Sequence, residues 1–416
     1  MQDVVIAGGG PAGLMLGLML ARSGAQVTVL EQHGDFLRDF RGDTLHAATL
    51  RIVDELGLGD RLRSLPVGTL GNLSLPVNGG GTVLFGGFER LPKPYNFVAM
   101  VPQWDFLTML AEAGAAEPTL TIRMNTEATG LVWDGDRVTG VQWRSGAEQG
   151  EVAARLVVAA DGRGSVLRRA AELPLQEYPV PFDVWWFRMT RDPDRDRAAG
   201  LEPVIRGRDL MIQLTRPDHL QVGLIGEAGT DEQVRAAGIA AFRSRVAALR
   251  PDLADRVGDI ASMDEVGHLR VRLNRARRWY RPGLLLIGDA AHAMSPIGGV
   301  GVNLAVQDAA AAARILAEPL RQARATEQPI PVLPLRAVQQ RRMLPVRAMQ
   351  AAQHRMHQLI FVPVLQGRAT GVPRWVAFAV RALPPIRWVA TRLLAYGLRS
   401  EHAPRYARRT PDGTRK

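Results

Sequence analysis

The sequence predicts an α/β protein with α+β additions: a parallel sheet bearing a nucleotide turn, a separate β-rich layer, and helices towards the C-terminal end. Three observations predict it. Residues 3–31, DVVIAGGGPAGLMLGLMLARSGAQVTVLE, read as strand, glycine turn, helix and second strand. Apolar runs at 156–160 and 284–287 end at Asp161-Gly162 and Gly288-Asp289, as strands buried on both faces of a parallel sheet do. Between them, 66–100 and 178–230 alternate short apolar runs with Gly, Pro and Asn, the pattern of antiparallel hairpins.

The first unit sets the chemistry. A strand over 4–7 meets Gly8, Gly10 and Gly13 in G-x-G-x-x-G register, then a helix over 14–23 and a strand over 26–30 ending at Glu31. Gly8 permits the tight turn, Gly10 lets a pyrophosphate approach the backbone, and Gly13 lets helix and strand pack closely. The helix N-terminus offers free N–H groups and partial positive charge to phosphates. Glu31 stands where a carboxylate can accept from a ribose diol. The order is that of a Rossmann-type dinucleotide site. A secretory signal would need a basic residue before the apolar run, and Gln2 and Asp3 stand there instead.

A loop over 34–41 carries Arg41, placed either to pair with a pyrophosphate or ribose or simply to be solvated. A helix over 45–56 follows, with Asp43 or Thr44 as its N-cap. Helix returns over 102–113, opened by Val101-Pro102-Gln103, and strands are expected over 120–126, 127–133 and 137–143, with an Asp134-Gly135 turn. Asp161 falls at the carboxyl end of a parallel strand, where such sheets bind ligands, and Ser165 can cap the helix over 166–171. In the β-rich layer, Trp185, Trp186 and Phe187 are consecutive and cannot share one face. Core packing and the lining of a substrate cavity both suit them, and the expected lining set is Trp185, Phe187, Met211, Gln213 and Leu224. A helix is expected over 231–249. The last decisive stretch is 288–316, GDAAHAMSPIGGVGVNLAVQDAAAAARIL. Its loop holds Pro296, Gly298, Gly299 and Gly301 ahead of an alanine-rich helix over 303–316, whose N-terminus suits an anion. His292 reads as a packed or capping histidine.

Length and composition bound the function. A chain of 416 residues suggests two or three units. The expected division is a discontinuous nucleotide domain (1–75, 98–178, 265–330), a β-rich substrate domain (76–97, 179–264), a helical segment (331–400) and a flexible basic tail (401–416). Without cysteine there can be no disulfide, thiolate metal site, iron–sulfur cluster or redox dithiol, so redox chemistry must come from a cofactor. No metal cluster or catalytic triad stands out. The net charge is +11, with only Lys93 and Lys416 as lysines. Basic residues are spread and form no nucleic-acid recognition motif; they would suit steering of an anionic co-substrate. The Trp- and Arg-bearing stretch over 374–399 suits a helical layer packed on the domain or a dimer partner, or an amphipathic surface lying on a membrane. Cysteine usage points to the cytoplasm, with a peripheral membrane contact as a variant.

Three motifs in this order, GGGPAG with Glu31, DGRGSVLR from Asp161, and GDAAHAMSPIGGVGVNLA from Gly288, resemble those of the single-component FAD-dependent aromatic hydroxylases, the p-hydroxybenzoate hydroxylase-like family. The resemblance implies that Gly8, Gly10 and Gly13 cradle the FAD pyrophosphate and Glu31 the adenine-side ribose. It implies that Arg41 and Gln103 contact FAD, that Asp161-Gly162 serves FAD and NAD(P)H, and that Asp289 binds the ribityl chain. Pro296 and Gly298 would lie beside the flavin ring, with Gly301, Val302 and Asn303 offering N–H groups to its pyrimidine end. The implied activity uses NADPH or NADH and O2 to hydroxylate or epoxidise an aromatic or polycyclic substrate through a flavin C4a-hydroperoxide. A reductase of the same fold, or a non-catalytic flavin-binding protein at a membrane surface, is the alternative. A halogenase reading fails on the missing W-x-W-x-I-P order and the lack of a placed lysine.

Overall fold

A computed structural model describes residues 1–37, 44–196, 200–411 and 413–414. Its main sheet has the parallel order Leu284–Leu286, Glu148–Ala159, Gln2–Ala7, Val27–Leu30, Leu120–Arg123. Gln2–Ala7, Val27–Leu30 and Leu284–Leu286 are buried on both faces, which is why their sequence is apolar without alternation, while the edge strand Leu120–Arg123 is only partly covered. Glu148–Ala159 is long enough to serve twice. Its second half lies in the parallel sheet, and its first half pairs antiparallel with Arg137–Ser145, which pairs with Glu127–Asp134.

Helix Pro11–Ala21 is apolar on every side because every side is covered. It packs between the sheet, helix Gln103–Ala115 and the long helix Gly301–Thr326. The long helix is apolar and extended enough to cross a membrane, yet most of it is buried in the protein core. It runs on well past the expected end at 316. The helix expected over 231–249 breaks in two at Gly238, giving Asp231–Ala236 and Gly238–Leu249.

The second layer is an antiparallel sheet ordered Gly200–Arg206, Asp209–Thr215, His219–Glu227, Phe182–Thr190, Gly267–Leu269. Its last strand lies beyond the expected boundary at 264, and the neighbouring hairpin Asn72–Pro76 with Thr82–Gly87 begins before the expected 76. One face of this sheet carries helix Gly238–Leu249; the other looks across a cavity towards the parallel sheet.

Helix Val332–Met356 follows and runs through a π-turn at His357–Phe361 into the short helix Val362–Leu365; helices Arg374–Ala382 and Pro384–Tyr396 come after it. The expectation of a free basic tail after residue 400 is corrected. Glu401 is fully buried and ion-paired with Arg314 at 2.5 Å and Arg341 at 2.7 Å. Ala403 and Ala407 are buried, the Tyr406 hydroxyl donates to the Ala313 carbonyl at 2.8 Å, and the Arg22 guanidinium donates to the Ala407 carbonyl at 2.9 Å. One acid following a long arginine-rich stretch supplies the anchor that composition obscures.

Candidate active site

A single cavity of about 1100 Å³ runs from the glycine turn, past the loop before the long helix, to the inner face of the antiparallel sheet. The structure brings Gly8, Gly10, Glu31, Gln103, Asp161, Gly162, Asp289, Pro296, Gly298, Gly301 and Val302 to its wall. Gly13 and Asn303 stand behind that wall, and Arg41 and Asp43 lie outside the described residues.

At the first turn, steric necessity sets the geometry. A Cβ on Gly8 would sit 2.3 Å from the Ala160 carbonyl oxygen, and Gly8 holds φ at +102°. A Cβ on Gly13 would sit 1.9 Å from the Gly8 carbonyl oxygen. A Cβ on Gly10 would meet nothing within 4 Å, because it would point into the cavity. The Glu31 carboxylate accepts from the Gly9 N–H at 2.9 Å and the His33 N–H at 3.1 Å. No side chain caps the helix at Gly10, so its first N–H groups face open space.

The second joint is built from side chains. Asp308, buried in the long helix, accepts from the Gly288 N–H at 3.2 Å, contacts His292 Nε2 at 2.5 Å, and accepts from Arg342 Nε at 2.8 Å. Burial alone would raise its pKa, but His292 and Arg342 outweigh that and hold it below the ordinary range. Through these bonds Asp308 fixes the loop that presents Asp289, which pairs with Arg163 at 3.2 Å. His292 is therefore packed, under Trp279. Asn303 spends its side chain on structure. Its oxygen accepts from the His46 N–H and the Thr49 hydroxyl, both at 2.7 Å, and its nitrogen donates to the Thr44 and Gly299 carbonyls at 2.9 and 2.8 Å. Gln353 braces the loop from the other side, donating to the Ser295 and Ile297 carbonyls at 2.8 Å. The long helix also begins without a side-chain cap, at Val300. The helix at Ala47 has His46 at its N-cap position, without a side-chain cap, and Thr44 is in a short strand.

These features fit FAD. Two uncapped helix N-termini open on one cavity, one at each end of an elongated cradle, and each favours negative charge. Between them Gln103 Oε1 is buried, lines the cavity and has no hydrogen-bond partner among the described residues; a ligand hydroxyl would satisfy it. Asp161 Oδ1 is likewise buried with no partner among the described residues, while Oδ2 accepts from the Leu167 N–H at 3.2 Å. Burial pushes its pKa up, against hydrogen bonds from Ser165 and nearby backbone. His46 also lines the cavity. It is fully buried, its Nδ1 lies 2.7 Å from the Leu394 carbonyl, and burial lowers its pKa to about 4 despite backbone hydrogen bonds.

The expected substrate-wall residues are corrected as a set. Register places Trp185, Met211 and Leu224 in one cross-strand row and Phe187 and Gln213 in the next. They do share a face, but it is the face against helix Gly238–Leu249, and all five are buried there. The Trp185 indole N–H donates to Asp231 at 2.8 Å on the helical side. The cavity face is one residue out of phase: Val184, Trp186, Leu210, Ile212, Leu214 and Ile225. Gly223 faces Trp186 across the strands, and a Cβ there would meet its ring at 2.8 Å. Both faces of the sheet are apolar, one for a helix and one for a cavity, so alternation could not tell them apart. The sequence alone assigns no role to Asp308 or Gln353, and Trp186, one of three aromatics that suit core or cavity, is the one that faces the cavity although it is absent from the expected lining set. A lone acid in an alanine-rich helix was the available signal for Asp308.

The fold and site define a class: a flavoprotein that opens its nucleotide cradle directly onto an apolar chamber. The FAD binding domain family matches residues 1–328, and the chain belongs to it, among the single-component FAD-dependent monooxygenases. Over 325 residues the chain is 38% identical to 6-methylpretetramide 4-monooxygenase of Streptomyces rimosus, covering 77% of this chain and 76% of that one. It is 28% identical over 342 residues to rifampicin monooxygenase of Streptomyces venezuelae, spanning 74% of this chain and 62% of that relative's length. The solved OxyS anhydrotetracycline hydroxylase from Streptomyces rimosus shares the fold, with a TM-score of 0.71 at 22% identity, covering 99% of this chain and 80% of that one.

Proposed function

We propose that this enzyme hydroxylates a polycyclic aromatic small molecule, using NAD(P)H and O2 with FAD. One observation carries the reading: the nucleotide cradle and the apolar chamber are one continuous cavity, and the loop 296–302 stands at their junction. When bound, FAD reduced by NAD(P)H would activate O2, one atom of which goes to the substrate and the other to water; the chain positions and shields.

Backbone N–H groups at the Gly10 end of the first helix would hold the pyrophosphate, and Glu31 would accept from the ribose. Gln103 and Asp289 would hold the ribityl side. The N–H groups of Gly301 and Val302, at a helix N-terminus, would stabilise negative charge on the pyrimidine end of the ring. Pro296 and Gly298 would bound the place of the ring. Beyond it, Trp186, Ile212, Leu214, Ile225, Phe85 and Phe361 form an aromatic and aliphatic chamber, which excludes water and takes a flat apolar substrate by burial and ring contact. The relatives are named for 6-methylpretetramide, rifampicin and anhydrotetracycline, which supports a fused-ring compound.

The test is oxidation of NADPH and NADH by the FAD-loaded protein with a panel of fused-ring phenols under 18-O2. Substrate-stimulated oxidation with label in the product is expected. Turnover without label would replace the monooxygenase by a reductase. Trp186→Ala should raise KM at least tenfold while retaining flavin. Phe187→Ala should instead lower stability by about 3–5 kcal/mol through a core cavity and leave KM of the folded enzyme unchanged.

A further inference from the structure

Helices Arg374–Ala382 and Pro384–Tyr396 leave large apolar side chains in solvent. Trp375 is 65% exposed, Phe378 70% and Trp388 52%, with Leu383 and Val389 beside them. Scattered exposed apolar residues are ordinary, but a contiguous set on two consecutive helices marks an interaction surface. The segment that bears it carries charge of one sign. Residues 328–400 contain eleven arginines and neither Asp nor Glu. Arg374, Arg381, Arg392 and Arg399 are exposed among the apolar side chains. The Arg392 guanidinium lies 5.4 Å from the Trp388 ring centre and 5.6 Å from that of Tyr396.

We propose that this face docks on a bilayer surface bearing anionic headgroups. An amphipathic helix with Trp, Phe and Leu on one side and arginine at its margins matches that partner on both counts. The apolar residues enter the acyl boundary, and the guanidinium groups meet phosphates. A second copy of this chain matches on only one count, since a two-fold pairing through this face would set arginines against arginines. The position of the face adds a consequence. Pro384–Tyr396 is at once the exposed helix and a cavity wall, through Ala390, Leu393 and Leu394. Docking therefore brings the chamber to the lipid, where an apolar substrate is concentrated. The docking itself stands apart from the monooxygenase reading, because binding to vesicles is measured without turnover.

The test is flotation of the full FAD-loaded chain with phosphatidylglycerol vesicles and with phosphatidylcholine vesicles. At low salt the bound fraction should be at least tenfold higher on phosphatidylglycerol, and 0.5 M salt should reduce it severalfold. A Trp375→Ser, Phe378→Ser, Trp388→Ser variant should lose at least tenfold in binding, with flavin content and thermal midpoint unchanged. Quenching of wild-type tryptophan fluorescence by brominated acyl chains gives a second measure that needs no variant. Recovery of the wild-type protein in the lipid-free fraction with both vesicle types would overturn the proposal. So would a dimer in light scattering that the triple variant converts to monomer, which would assign the face to a second copy.

Discussion

The glycine turn at 8–13 and the loop at 288–301 are the same kind of joint. Each carries a strand of the parallel sheet into a helix, and each leaves an uncapped helix N-terminus on the same cavity. They are held in opposite ways. The first is fixed by side chains that are missing, since Cβ atoms at Gly8 and Gly13 would strike backbone within the same unit or its neighbouring strand. The second is fixed by groups that come from far along the chain: the Arg342 and Gln353 side chains from helix Val332–Met356, and the Thr44 carbonyl, His46 N–H and Thr49 hydroxyl from the region before residue 50, all three bonded to the Asn303 side chain. A joint made by close backbone contact is rigid and local. A joint made by a buried polar network is rigid only while every member is satisfied.

The sharpest way to break the comparison is Gly13→Ala. Helix and strand must separate to admit the methyl group, so a loss above about 4 kcal/mol and failure to retain FAD are expected in denaturation and flavin-release assays. A near-wild-type midpoint would show that the first joint is not sterically held. Asp308→Ala strands Arg342 and His292 in the core and should cost about 3–5 kcal/mol. Because the network also positions Asp289, flavin should bind more weakly in the fraction that remains folded. Equal FAD affinity in that fraction would separate the network from the site.

His46 gives a smaller effect that appears only in acid. Its folded pKa is about 4, against 6.5 for the unfolded chain. Both states are neutral at pH 7, so the full contribution is present there. As pH falls below 6.5 the unfolded chain takes up the proton first, and about 3 kcal/mol is lost by pH 4. Denaturation of wild type and His46→Asn at several pH values should show a shallower decline in the variant; parallel curves would remove His46 from the account. Gly10→Ala should do least to the fold, within about 1 kcal/mol as a helix-cap change, because its Cβ would meet open space. Flavin affinity should still fall at least tenfold, as the methyl group occupies the path of the pyrophosphate. Unchanged affinity would place the phosphate elsewhere.

The turn at Gly8, the strand ends at Asp161 and Asp289, and the loop 296–301 were legible because each is written in consecutive residues. Their convergence on one cavity follows from the parallel sheet, where strand ends line up on one edge. Trp185 against Trp186 shows the limit. The strand was readable, but its phase was not, because a helix covers one face and a cavity the other. Glu401 shows another limit: its three arginine partners come from two helices that composition alone does not bring together.

The sequence by itself determined the α/β class, the dinucleotide turn and the family, because backbone sterics and apolar runs act over short spans. Only the tertiary structure decided which tryptophan faces the chamber, that Asp308 and Asn303 brace the loop at 288–301, and that residues 401–407 are anchored. Those outcomes depend on register and on buried partners far apart in the chain, which are chosen by packing and electrostatics after the local elements have formed.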